Sequence, residues 1–227
     1  KELKERRISN FGYGEQCDGP SWLPEQCRAG GSPDIIVWGD SYAMHLVNTI
    51  RHASLGLGVG QITLSGCAPI IGLAKFRPSD PQNLPSSARQ CLKFNAEAVQ
   101  TILQSPSVKV VVISGIFNDL GDASFQYITD KGIRSANADE VLEALLESVK
   151  PIQDKGIQVV LVTPPPRSGE NIGRCLDLAL WKGESLNRCT IVEADLEQTA
   201  QTLRGSLARI NRTLPVVSLY KILCVDG

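Results

Sequence analysis

The tripeptide Gly39-Asp40-Ser41 closes a short apolar run in the stretch PDIIVWGDSYAMHLV. A serine at the junction between a β-rich run and a helical pattern would stand at the carboxyl edge of a sheet and at a helix N-terminus. Unpaired backbone N–H groups of a first helical turn can stabilise a developing oxyanion there, and Gly39 permits the tight turn. The chemistry this suggests is attack by the Ser41 hydroxyl on an ester carbonyl to give an acyl-serine. A plainer role is also open, in which Asp40 or Ser41 only caps the helix.

A serine nucleophile needs a proton acceptor. The two histidines, His45 and His52, both follow Ser41 on its own helical stretch, seven residues apart on one stripe. Position suits His45 to supporting the site from behind, or to packing, rather than to taking the Ser41 proton.

The segment VWGDSYAMHL resembles the first sequence block of the SGNH/GDSL hydrolases. More narrowly it is similar to the GDSH-A-x-H-L version carried by SGNH domains fused to acyltransferase-3 membrane proteins, which O-acylate cell-surface glycans. Tyr42 stands where that version has histidine, while Ala43, His45 and Leu46 match. The resemblance implies two further oxyanion donors: the backbone N–H of Gly66 in LSGCAP, and the side-chain amide of Asn118 in SGIFND. The Asn118 segment, the family's third block, is offset by one residue from the usual Gly-x-Asn-Asp, which leaves Asp119 as a rival to Asn118. Read without the resemblance, Gly66 and Asn118 are equally at home as turn residues.

The family takes its base from an Asp-x-x-His block near the C-terminus, and Asp226 in LCVDG has no histidine three residues on. The resemblance therefore implies a base beyond Gly227, and predicts that these 227 residues alone fold but are nearly inert toward esters. It implies an acyl donor, acetyl being the expected group, delivered by a membrane acyltransferase domain. The acceptor would be a glycan hydroxyl, with no cofactor, and the location periplasmic, tethered through an N-terminal membrane domain outside these residues. Two alternatives belong to the same fold: a free-standing periplasmic carbohydrate O-acetylesterase, and a catalytically dead glycan-binding domain. A flavodoxin-like phosphate-binding module is disfavoured because no Gly-rich loop follows the first strand.

The elements that must position these residues are legible from periodicity. From Asp34 onward, β-rich runs (IIVW, QITL, VKVVVIS, IQVVLVT, PVVSL) alternate with helical patterns. Five such runs predict a mostly parallel five-stranded sheet, and right-handed crossovers place helices on both faces, giving a three-layer α/β/α sandwich. Helices are expected from Ser41 to about Leu55, around Leu92, Ala96, Val99 and Leu103, and around Val141, Leu142, Leu145, Leu146 and Val149. The most regular stripe is Leu196, Ala200, Leu203, Leu207, Ile210 and Leu214. Residues 1–33, opening with KELKERR and continuing through a Gly/Pro/Cys segment, read as a linker or wrapping extension, and 34–227 as the hydrolase-like domain. Two long insertions, 72–90 and 164–189, should lie near the carboxyl edge of the sheet, where ligands bind in such folds.

Composition narrows the function classes. A net charge of −1 and the lack of a long Lys/Arg run leave no electrostatic footprint for nucleic acid. No apolar run approaches the roughly 20 residues that cross a bilayer. The seven cysteines show no CxxC or Cys/His spacing for zinc, so no metal is expected. Several lie in Gly/Pro/Ser-rich segments, which points to loop staples in an oxidising compartment. Pairing each cysteine with its neighbour across one irregular segment predicts Cys17–Cys27, Cys67–Cys91 and Cys175–Cys189, though crossed connectivities remain open. Cys224 is then left over, a second sign that the natural chain continues.

Overall fold

The computed structural model describes residues 8–81, 84–117, 122–167, 170–192, 205–206, 210 and 213–224. Its main sheet has six strands: β1 (Arg28–Ala29), β2 (Ile35–Gly39), β3 (Val59–Thr63), β5 (Val110–Ser114), β8 (Gln158–Val162) and β9 (Val216–Val217). Their order is β1-β3-β2-β5-β8-β9. Strands β3, β2, β5, β8 and β9 run parallel, which are the five runs the sequence predicts. The sixth, β1, joins antiparallel to β3, Arg28 opposite Gly60 and Ala29 opposite Val59. So the segment before Asp34 adds a strand to the sheet edge, with Tyr13 O–H donating to Val59 O and Tyr13 N–H to Gln61 Oε1.

Alternation along β2 divides the core. Val37 packs with Ala43 and Val47 of α1 (Ser41–Ala53) on one face. Ile36 and Trp38 face the other way, into a cluster with Phe94, Ala98 and Ile102 of α2 (Pro85–Gln104) and Leu145, Val149 and Ile152 of α3 (Ala138–Asp154). Residues two apart on a strand share a face, and each face therefore needs its own helical cover. Trp38 is fully buried, and its indole N–H donates to Asn95 Oδ1 at 3.0 Å. The helix expected around Leu196 to Leu214 falls mostly outside the described residues; Gly205, Ser206 and Ile210 are helical, and Ile210 and Leu214 are buried in the same cluster.

The excursions from the carboxyl ends build more structure than their sequences suggest. The chain leaving β3 forms β4 (Ala74–Phe76), and the chain leaving β5 forms β6 (Gln126–Thr129) and β7 (Gly132–Arg134). They make a small antiparallel sheet, β4-β6-β7, whose Phe76, Tyr127 and Ile128 join the core under α2. The excursion after β8 carries α4 (Ile172–Lys182), and a five-residue helix, α5 (Leu219–Leu223), follows β9. Cys17–Cys27, Cys67–Cys91 and Cys175–Cys189 are bridged, and Cys224 is a free thiol. No described helix is long and apolar enough to cross a membrane.

Candidate active site

Ser41 is the first residue of α1, directly beyond the carboxyl end of the central strand β2. The turn that puts it there depends on Gly39, whose φ is +151° and whose absent Cβ would lie 1.8 Å from Ser114 O. Any side chain there would collide with the backbone of β5, so the close approach of β2 and β5 at this edge needs glycine. Ser41 is partly exposed, and its hydroxyl has no hydrogen-bond partner among the described residues.

Asp40 is the helix N-cap and is fully buried. One carboxylate oxygen accepts from Tyr42 N–H at 2.9 Å, and the other from Ile116 N–H at 2.7 Å. The first bond satisfies an orphan donor of the helix start; the second holds the loop that leaves β5. Capping and site-building are therefore one arrangement, with Asp40 as the cap and the Ser41 hydroxyl left available. Gly115 packs into the same corner, where a Cβ would come 3.3 Å from Asp40 Oδ2 and 3.0 Å from Pro69 Cδ.

Beside this corner, Leu64 N–H donates to Gly39 O at 3.0 Å and starts a turn closed by Cys67 N–H to Leu64 O at 3.0 Å. Gly66 is its third residue with φ +72°, while Ser65 is not among the positive-φ residues, the pattern of a type II turn. Gly66 is exposed and its N–H is unpaired among the described residues. Gly39 is in register with Thr63 on one side and Ser114 on the other. The starts of α1, of the Gly66 turn and of the β5 exit loop are thus neighbours at one edge. Asn118, with its rival Asp119, lies outside the described residues.

Neither histidine ring is hydrogen-bonded to Ser41 among the described residues. His45 is exposed one turn along α1, its ring tilted 51° to that of Tyr42 with centroids 6.3 Å apart. His52 is exposed, with Nδ1 at 2.6 Å from Asn48 O.

A family model for the SGNH domain fused to AT3 domains matches residues 14–227. The chain belongs to this family. The SGNH domain also superposes on the solved periplasmic domain of a lipopolysaccharide acetyltransferase from Salmonella ser. Paratyphi A. That match has a TM-score of 0.61 and 16% identity, covering 100% of this chain and 85% of the other. At that identity the likeness shows a shared fold. A protein of Bacteroides fragilis NCTC 9343 assigned as an acylhydrolase aligns with a TM-score of 0.42 and 16% identity, over 100% of this chain and 82% of that one. No curated protein matches the chain in sequence.

Sequence reasoning did not single out Asp18, Ser65, Asn95 or Ile116 of this SGNH domain, all of which hold the loops around Ser41. Asn95 Nδ2 donates to Ala68 O at 2.7 Å and Ile70 O at 3.0 Å, pinning the stretch after the Gly66 turn to α2. An asparagine within a helical stripe is the one signal that could have flagged it, since a polar residue on a buried face needs partners.

Proposed function

We propose that this SGNH domain is the extracytoplasmic acyl-carrying part of an AT3-fused O-acyltransferase, with Ser41 as nucleophile. The observation that carries the reading is the partly exposed Ser41 hydroxyl at the helix start, unbonded among the described residues, at the same sheet edge as a Gly66 N–H that is likewise unbonded among them. Ser41 Oγ attacks the acyl carbonyl of a donor presented by the membrane domain; the Oγ proton passes to an imidazole, which hands it to the donor's leaving group as that group departs. A sugar hydroxyl of a cell-surface glycan then gives its proton to the imidazole and attacks the acyl-serine; the sugar ester forms, the bond to Oγ breaks, and the imidazole returns the proton to Ser41. Gly66 N–H and the Ser41 N–H, with the Asn118 amide, are assigned to the carbonyl oxygen in both steps.

Neither the His45 ring nor the His52 ring is hydrogen-bonded to Ser41 among the described residues, and the imidazole is assigned to the Asp-x-x-His block that the family resemblance implies. The periplasmic location and the acetyl group rest on the same family membership.

The test is covalent labelling of the full-length protein with a fluorophosphonate, followed by peptide mapping. Label on the peptide containing Ser41, lost in Ser41→Ala, is the expected result. Full labelling of Ser41→Ala would reject Ser41 as nucleophile. Incubation with an acyl donor should leave an ester on the same peptide, and transfer to glycan should fail in the Ser41→Ala protein.

A further inference from the structure

The turn bearing Gly66 is held from outside the domain's parallel core. Asp18, in the segment before the first parallel strand, accepts two hydrogen bonds from one residue of that turn: Ser65 N–H to Oδ1 and Ser65 O–H to Oδ2, both at 2.7 Å. The segment itself is fixed along β3, where Gly19 N–H donates to Thr63 O at 2.8 Å and Thr63 O–H to Cys17 O at 3.1 Å. Disulfides adjoin both partners, Cys17 immediately before Asp18 and Cys67 immediately after Gly66.

We propose that Asp18 is a positioning residue for the acyl-transfer reaction, which sets the Gly66 N–H toward the carbonyl oxygen of the Ser41 ester. The inference rests on the assignment of Ser41 as nucleophile. Leu64 and Cys67 on either side reach the core, but Gly66 has open space where a Cβ would be, so nothing packs on Gly66 itself. Its φ of +72° and its exposure leave the orientation of its N–H to whatever grips the neighbouring residues. Leu64 is gripped by Gly39 O and Cys67 by its disulfide; Ser65 is gripped by Asp18.

Electrostatics argues that the role is geometric. A carboxylate beside a developing oxyanion repels it, so a negative charge has no direct catalytic use there. Two charge-assisted hydrogen bonds, by contrast, fix a loop more firmly than neutral ones. An asparagine keeps the geometry, because its Oδ1 accepts from Ser65 N–H while its amide donates to the Ser65 hydroxyl oxygen.

A substitution in the turn itself provides the discriminating experiment. Ser65 occupies the second position of a type II turn, where proline presets φ and needs no external donor or acceptor. In the full-length protein, Asp18→Ala should slow fluorophosphonate labelling of Ser41 by about 10- to 100-fold, the range expected when one oxyanion donor is misplaced. Asp18→Asn should keep most of the rate. Adding Ser65→Pro to Asp18→Ala should restore most of the loss, and with an ester substrate the effect should fall on kcat rather than KM.

Labelling of Asp18→Ala at the wild-type rate overturns the proposal. So does a slow Asp18→Ala protein that Ser65→Pro fails to rescue while circular dichroism shows it folded. If Asp18→Ala does not fold, Asp18→Asn and Ser65→Ala replace it: equal loss in both overturns the geometric role, whereas loss in Ser65→Ala alone supports it. Failure of the Ser41 assignment is read separately, as labelling that persists in Ser41→Ala.

Discussion

Asp40 and Ile116 are 76 positions apart in the chain, and the Asp40 carboxylate accepts the Ile116 N–H at 2.7 Å. This one bond ties the start of α1, where Ser41 stands, to the chain leaving β5. The same carboxylate caps α1 through Tyr42 N–H. Replacement by asparagine leaves at least one of the two buried N–H groups facing an amide N–H. Asp40→Asn is expected to cost about 2 kcal/mol in urea unfolding and to slow labelling of Ser41 by more than that loss explains.

Gly39 should tolerate no substitution. With an ideal Cβ 1.8 Å from Ser114 O, Gly39→Ala must separate β2 from β5 or rotate the strand end. A loss on the order of 4 kcal/mol, at the upper end for single substitutions, is expected in chemical denaturation. Gly205→Ala, a helical glycine with nothing within 4 Å of its Cβ, is the control and should be no less stable than the parent, with a gain of up to about 1 kcal/mol.

Asn95 should prove to be a stability residue. Asn95→Leu keeps the branched shape but leaves the Trp38 indole N–H and the Ile70 carbonyl without their partner, at about 3 kcal/mol. Trp38→Phe removes the donor, so the double variant should be less unstable than the sum of the singles by about 1 kcal/mol in a double-mutant cycle. Strict additivity would show that the Trp38–Asn95 bond contributes nothing.

The bridge Cys67–Cys91 closes a sequence separation of 24 beside the Gly66 turn. Its removal in Cys67→Ser/Cys91→Ser should cost about 3 kcal/mol in the loop-entropy account. Thermal unfolding with and without a reductant checks this, and the reduced parent should fall toward the double variant.

Acid sensitivity should carry a signature of Glu140. The Asn137 N–H, and then the Arg134 guanidinium, hold its carboxyl below the usual range. A folded pKa below the unfolded value of about 4.3 gives stability that is present above that pH and lost as pH falls through the folded value. The gap in Tm between the parent and Glu140→Gln should therefore be open at neutral pH and close in acid. The pair is exposed, so the gap should be small and shrink with salt.

What the sequence determined by itself was the local part of this protein. Continuous β-rich apolar runs marked the five parallel strands, and 3.6-residue stripes marked α2 and α3, although the buried face of α2 runs through Cys91, Phe94, Asn95, Ala98 and Ile102 rather than through Leu92, Ala96 and Leu103. Ser41 was legible as a serine at a strand-to-helix junction behind a glycine. The three disulfides were legible because each joins cysteines that are neighbours in sequence, although the segments they close hold β4 with the start of α2, and most of α4. Tertiary structure alone decided the rest. Strand β1 has two residues and β4 and β7 three each, too short to show a period. The bonds that shape the site join Asp18 to Ser65, Trp38 to Asn95 and Asp40 to Ile116, across 47, 57 and 76 positions. Neither Asp18 nor Asp40 carries in its neighbours a trace of which distant N–H it will meet. Only the parallel register of β3, β2 and β5, which brings their exit loops to one edge, selects those partners.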